Sequence, residues 1–555
     1  MRFIDNSRQI IVRTLWACRR SIWNGWTKFK FSKNRVVRIP LPRETGKKLE
    51  TISLKTLLGE IPVRKVRVAH RLPEDEVSWR VWRSVPAFRS WLRQRIYWFQ
   101  DKVLQRWLPP TQAGLPAIDA DHWKAIGTAC TPGHRKLFKD PQLPAEYTGD
   151  VDLARLAVAS PYACYLEKAS QGGYQWDFRK LEHYGHKDGL HPLGVHVLFH
   201  TDGEQRLQVE RIDSELGVSK PGDSKWELSR KIALCAATTH MSLVRHLNWV
   251  HLIGGSAAAI ATRNGLPANH PVRRLLWPHV YGTQDSNLLA IKSQLTPGGD
   301  YGDIFSFEYP EMCRLLDDTH EQFDISRFDP LEDARQRGIL GPEVGFATPV
   351  LDNRRELFDV IHAYAERYLS LYYTDDGLRR DEDFGRWLSE LDALLPNGTR
   401  RLIGGNPTVS SAARLIAAII YLESVEHESL GTGLWHYQLW PHVQPVRVYK
   451  NGQRLPVDVY QRLVNANFIL NVHRTSLLED FSYLALDREG AAAMRSLQDE
   501  PPGPAVPGGA AVPGPLADRA EHPRGQHQRL NPSPLRTAAS GFHRGRAAPH
   551  LPAVE

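Results

Sequence analysis

The feature that most constrains this chain is an apolar run, residues 232–253, that carries three histidines. Its centre reads Thr238-Thr239-His240-Met241-Ser242-Leu243-Val244-Arg245-His246-Leu247-Asn248-Trp249-Val250-His251. Ile232, Ala233, Leu234, Ala236, Ala237, Leu243, Val244, Leu247, Val250, Leu252 and Ile253 leave no polar face of the kind a surface helix shows, so the run belongs inside a large domain. Imidazole is the commonest metal ligand, and three rings in so short a buried stretch exceed what packing asks for. At roughly 100° per residue, His240 and His246 stand about 240° apart and His246 and His251 about 140° apart, so a regular α-helix converges neither pair. A π-bulge would bring a pair five residues apart onto one side, and such bulges concentrate at functional sites. The spacing therefore predicts a non-α turn between His240 and His251. The plainer alternative is that each ring bonds its own carbonyl or water, which is common for one histidine and less so for a cluster.

A second apolar helix is expected at residues 411–430. There Ala412, Ala413, Leu415, Ile416, Ala417, Ala418, Ile419, Ile420, Tyr421 and Leu422 lead into Ser424-Val425-Glu426-His427-Glu428-Ser429-Leu430-Gly431.

The segment 226–287 resembles the metal-carrying region of lipoxygenases. The family pattern is a Trp, a short basic element, three histidines, a His-Pro and a Leu-Leu-x-Pro-His. This chain has Trp226, Arg230-Lys231, His240, His246, His251, His270-Pro271 and Leu275-Leu276-Trp277-Pro278-His279, with Asn287 eight residues on. In the family the first two histidines, four intervening residues apart, bind iron. Two pairings stay open: His240 with His246, which have five residues between them, or His246 with His251, which have the family gap. His251-Leu252-Ile253 looks like the text around the family's third, non-ligating histidine, which favours His240 and His246. His427 matches the third iron histidine. Four residues later, where the family places an Asn, stands Gly431.

The resemblance is continuous from about residue 150. Residues 152–161, then 194–199 and 207–212 as short strands, 309–330, 334–338, and Tyr368 to Tyr373 followed by Asp381, Glu382, Asp383 and Trp387 all follow the family order. It implies a mainly α fold: a large single helical catalytic domain with minor β-structure, built around two buried metal-carrying helices. It implies an oxidoreductase, a non-haem iron dioxygenase (manganese being the alternative ion) that inserts O2 into polyunsaturated fatty acids to give hydroperoxides, in lipid or oxylipin metabolism. The metal set is then His240, His246, His427 and His251. An apolar substrate channel is expected from Leu243, Leu247, Ile260, Leu288, Ile291, Ile416 and Ile420, because such a site must hold an acyl chain and exclude water.

The expected organisation is a basic and aromatic arm at 1–40, a helical region at 41–150 without the family's β-sandwich, the catalytic domain at 151–495 and a disordered tail at 496–555. The arm sets ten Lys and Arg against Asp5, interleaved with Trp16, Trp23, Trp26, Phe29 and Phe31. That mixture suits peripheral contact with an anionic membrane; no nucleic-acid reading module accompanies it. The tail, rich in Pro, Gly, Ala and Arg, has no composition for a core. Lipoxygenases end on an aliphatic residue whose carboxylate binds iron, and the sequence ends on Glu555 without a Leu/Ile-rich helix before it, so that ligand is not expected and the ending reads as lost or replaced. This departure, with Gly431, motivates the alternative of a truncated or degenerate lipoxygenase-fold protein with an incomplete metal site that binds lipid surfaces. Cys18, Cys130, Cys164, Cys235 and Cys313 form no CxxC pair and read as reduced thiols of a cytoplasmic protein. No run of eighteen apolar residues exists to span a membrane.

Overall fold

The computed structural model describes residues 37–38, 48–61, 63–72, 152–430, 437, 440–441, 443–456, 459–460, 463 and 479–480. All of them lie in the unit Met1–Gly490. Most of the expected arm, the stretch 73–151, Gly431 and the tail from 496 fall outside the described residues.

Within the region expected to be helical, the described residues 48–72 hold an antiparallel pair, β1 (Thr51–Ser53) with β2 (Arg67–Ala69), and a short helix, Leu54–Leu58, between them. The Asn264 side chain ties this hairpin to the core by accepting from the Leu49 amide at 2.6 Å and donating to its carbonyl at 3.2 Å.

The catalytic region opens on α1 (Leu153–Ala159), capped by Asp152, whose carboxylate accepts from the Arg155 amide. A five-stranded antiparallel sheet follows: β3 (Glu167–Lys168), β4 (Tyr174–Asp177), β5 (His196–Thr201), β6 (Leu207–Ser214) and β7 (Gly217–Ser219), in that spatial order. Trp176, Val197, Phe199 and Ile212 are fully buried beneath it. Alternation along β4 and β5 places Trp176, Val197 and Phe199 there, and a register shift at Leu198/Phe199 interrupts the pairing with β6 before Ile212.

From Trp226 to Leu430 the regular secondary structure is helical. Residues 226–265 form one uninterrupted helix: α2 (Trp226–His240), a π-helical stretch Met241–Gly255, then α3 (Ser256–Gly265). The backbone stays in the right-handed helical region at both junctions. It stops at Leu266, in extended conformation immediately before Pro267, because a residue preceding proline is pushed out of the helical region. Then come α4 (Pro271–Val280), α5 (Thr283–Ser293), α6 (Tyr309–Asp318), α7 (Pro330–Gln336), α8 (Pro349–Ser370), α9 (Glu382–Leu394) and α10 (Val409–Ile420). A reciprocal box starts α10: Thr408 Oγ1 accepts from the Ser411 amide and Ser411 Oγ from the Thr408 amide. A second π-helical turn, Tyr421–Glu426, continues α10.

The two helices that matter are central. Among the described residues, every residue of Met241–Gly255 except His251 is buried, and Ala412, Ala413, Leu415, Ile416, Ala417 and Ala418 of α10 have no exposed surface. They approach closely because Gly254 and Gly255 lack side chains. A Cβ on Gly254 would lie 2.5 Å from Leu422 Cδ1, and one on Gly255 2.8 Å from Glu423 Oε1. Trp387 of α9 packs on α3 for the same reason, its Cα 2.5 Å from where a Cβ on Gly265 would stand. The architecture is the mainly α domain with minor β-structure that the pattern implied, and the non-α turn is present as a full π-helix.

Candidate metal centre

The π-helical stretch resolves the spacing problem of the three histidines. An i→i+5 ladder stacks residues five apart on one side, and the Ser256 amide bonding the His251 carbonyl is one such rung. His246 and His251 are five apart, and their Nε2 atoms lie 3.3 Å from each other. His427 follows directly on the second π-helical turn and brings its Nε2 to 3.1 Å from that of His251. One ligand nitrogen from each of the three rings lies within 4.8 Å of the others, with His246 buried and the other two partly so.

His240 is not part of this cluster, which corrects the expected pairing of His240 with His246. They stand six positions apart, with five residues between them, and an i→i+5 ladder that aligns 246 with 251 turns 240 away. Its Nδ1 is hydrogen-bonded to the Tyr165 hydroxyl at 3.0 Å, and its ring stands edge-on to Trp249 with centroids 6.4 Å apart. Burial, with Arg245 as a lesser cause, pushes the His240 pKa down to about 3.

The surroundings of the cluster suit a divalent ion. The Asn287 Nδ2 donates to the His251 carbonyl (2.6 Å) and to Ser256 Oγ (3.0 Å). Its Oδ1 therefore faces His251 Nδ1, at 3.0 Å, as an acceptor. Nδ1 then carries the proton, and the Nε2 lone pair is aimed at the other two rings. Nitrogens each about 2.1 Å from one ion stand roughly 3.0–3.4 Å from their neighbours, as His251 Nε2 does from those of His246 and His427. The buried His246 Nδ1 has no hydrogen-bond partner. Burial, then the neighbouring His251 and His427, hold the His246 pKa well below the usual range, and burial pushes His251 down to about 4. The His246 and His251 rings are therefore neutral at pH 7, as metal ligation requires. Three imidazoles without a thiolate suit iron, manganese or zinc.

Other motif residues brace the helices. His270 Nδ1 accepts from the Val272 amide, so its Nε2 donates to Asp381 Oδ2 at 3.1 Å, which also accepts from the Tyr373 hydroxyl at 2.7 Å. His279 Nδ1 meets Ser424 Oγ at 2.8 Å, and Trp387 Nε1 donates to Thr262.

The sequence reading passed over a buried ion cluster. Glu426 Oε1 accepts from Arg245 (3.0 Å) and Oε2 from Arg354 on α8 (2.6 Å). Burial alone would raise the Glu426 pKa, but Arg354 and Arg245 together hold it below the ordinary carboxylate value. A signal existed: Arg245 is the only formal charge in residues 232–253, and a charge in an apolar run needs a partner.

Leu243, Leu247, Ile260, Ile291, Ile416 and Ile420 are all buried, and Leu288 is half-buried. A small cavity between α1, α7 and α8 is lined by residues including Ala157, Leu166, Asp333, Ile339, Leu351 and Arg354, and by none of those seven.

No family model matches the chain. Over 259 residues it is 27% identical to polyunsaturated fatty acid lipoxygenase ALOX15 of Oryctolagus cuniculus, covering 44% of this chain and 37% of that protein. Over 208 residues it is 23% identical to the linoleate 9/13-lipoxygenase of Pseudomonas aeruginosa, covering 37% and 30%. These matches span about a third of the relatives' own length. Among solved structures, coral 8R-lipoxygenase superposes with a TM-score of 0.56 at 15% identity, over 67% of this chain and 64% of that one. A calcium-dependent 11R-lipoxygenase gives 0.53 at 16% identity, over 68% and 65%. Sequence relatives and fold agree, and the chain is a divergent lipoxygenase-family protein.

Proposed function

We propose that this chain is a non-haem iron dioxygenase of polyunsaturated fatty acids, with His246, His251 and His427 as the protein ligands and manganese as the alternative ion. The observation that carries the reading is the meeting of three Nε2 atoms from two separate helices, 3.1 and 3.3 Å apart. When bound, the ion supplies the one-electron chemistry that breaks a bis-allylic C–H bond so that O2 can add.

The chain's own part is positional. Asn287 keeps the His251 proton on Nδ1 and its Nε2 free. Leu243, Leu247, Ile416 and Ile420 are buried on the two helices that carry the ligands and would supply the hydrocarbon that excludes water and holds an acyl chain. Leu288, Ile260 and Ile291 would extend that lining. The substrate class is supported by relatives whose names specify polyunsaturated fatty acid and linoleate. Among the described residues no helix is long and apolar enough to cross a membrane. The basic, Trp-rich arm at 1–40 would carry a cytoplasmic protein to anionic bilayer surfaces where such lipids reside.

Metal analysis together with oxygen uptake on linoleate tests this. About one equivalent of iron and a hydroperoxide absorbing as a conjugated diene are expected. Metal-free protein that binds anionic vesicles and consumes no O2 would overturn it in favour of a lipid-binding protein with lost coordination.

A further inference from the structure

Arg245 immediately precedes His246, and Glu426 immediately precedes His427. The two are ion-paired at 3.0 Å with side chains only 4% and 2% exposed. The pair thus ties one π-helical stretch to the other, a single residue from a ligand on each side. We infer that the Arg245–Glu426 pair is a positioning device that sets His427 against His246 and His251, so that metal affinity depends on it beyond its contribution to stability. The inference rests on the reading that this cluster holds iron.

Physical reasoning supports the role. The remaining carboxylate oxygen of Glu426 is taken by Arg354, which comes from α8 and belongs to neither π-helical stretch. Arg245 is further fixed by its guanidinium lying over the Trp249 ring, 5.5 Å from the centroid. Breaking a buried pair leaves an uncompensated charge, so any slip of one helix along the other is strongly resisted. The glycine contacts at Gly254 and Gly255 with Leu422 and Glu423 hold the same two helices at a second point. Two fixed points on a pair of rods define their register, and ligand nitrogens must be held to within about 0.5 Å for a metal site to work.

The second arginine provides a control. Arg245→Met and Arg354→Met each remove one guanidinium from the same carboxylate and leave it the other, so the change in buried charge is equal. Only Arg245→Met cuts the link between the helices. Anaerobic titration of the full chain with Fe(II), alongside thermal unfolding of the metal-free protein, separates the effects. Arg245→Met is expected to lower Fe(II) affinity by about 10–100-fold, the range typical when a ligand's support is removed, and Arg354→Met by less than about threefold. Their melting temperatures are expected to fall together. Should Arg245→Met fail to fold, Arg245→Lys keeps the charge while losing the planar fork, and an intermediate loss of affinity is expected from it. Equal Fe(II) affinities in the two methionine variants, or wild-type affinity in Arg245→Lys, would overturn the inference. Wild-type protein that binds no Fe(II) at all would instead overturn the metal reading on which it stands.

Discussion

Asn287 offers the most direct test of how the cluster is prepared for a metal. Its amide makes three contacts: Oδ1 to His251 Nδ1 at 3.0 Å, Nδ2 to the His251 carbonyl at 2.6 Å, and Nδ2 to Ser256 Oγ at 3.0 Å. Asn287→Leu conserves the approximate shape and removes all three. Each such bond contributes about 1 kcal/mol net, and buried partners left unsatisfied add to the loss, so the metal-free fold should weaken by about 2–4 kcal/mol. Without the acceptor, His251 is free to place its proton on Nε2, where it blocks ligation, and Fe(II) affinity should fall by about 10–100-fold. Asn287→Asp separates the two roles. It keeps an acceptor at Nδ1 and makes the ring more basic, but can no longer donate to the carbonyl. Stability should fall while Fe(II) affinity above pH 6.5 stays near that of the wild type. Denaturant titration and anaerobic Fe(II) binding read the two quantities separately. The reasoning about the proton fails if the leucine variant binds Fe(II) as well as wild type, or if the aspartate variant binds it worse than the leucine variant does.

Two further outcomes follow from the same geometry. His246→Asn and His427→Asn should each abolish stoichiometric iron, whereas His240→Gln should keep it and lose only about 1 kcal/mol from the Tyr165 contact; iron content by elemental analysis decides, and loss of iron in the His240 variant would restore that residue to the site. Glu423 has a buried carboxylate oxygen with no partner, and burial raises its pKa to about 8. Its folded form holds a proton that the unfolded chain releases above about pH 4.5, so the folded state loses stability as pH rises from about 4.5 through 8. Glu423→Gln should remove that slope, gaining on the order of a few kcal/mol relative to wild type at pH 8 and almost nothing at pH 4.5. Parallel slopes for the two proteins in urea melts across this range would show that Glu423 is not neutral in the fold. His251, lowered to about 4 by burial, has the opposite sign: its contribution is complete above pH 6.5 and is lost as pH falls toward 4.

How much was legible beforehand follows from the range of each interaction. The apolar run at 232–253 and the one leading to His427 announced two buried helices, because hydrophobic periodicity is a local property that needs no partner to be read. The i, i+5 spacing of His246 and His251 likewise announced a departure from α-helical geometry, and Met241–Gly255 is π-helical. The strands β5 and β6 were expected at 194–199 and 207–212 from the resemblance in chain order, and they lie there.

The choice among histidines was not local. His240 and His251 sit in similar apolar text, and what separates them is Asn287, thirty-six residues beyond His251, and Tyr165, seventy-five residues before His240. The Arg245–Glu426 pair spans a greater separation, 181 residues, and Arg354 joins it from 72 residues before Glu426. By itself the sequence determined that imidazoles would be carried on buried helices of a large domain, since apolar runs are written along the chain, while the mainly α architecture was implied by the family resemblance. Only the tertiary structure decided which rings meet, because convergence depends on the register between two helices, and that register is set by side chains as much as 181 residues apart and by two glycines that let Leu422 and Glu423 pack close.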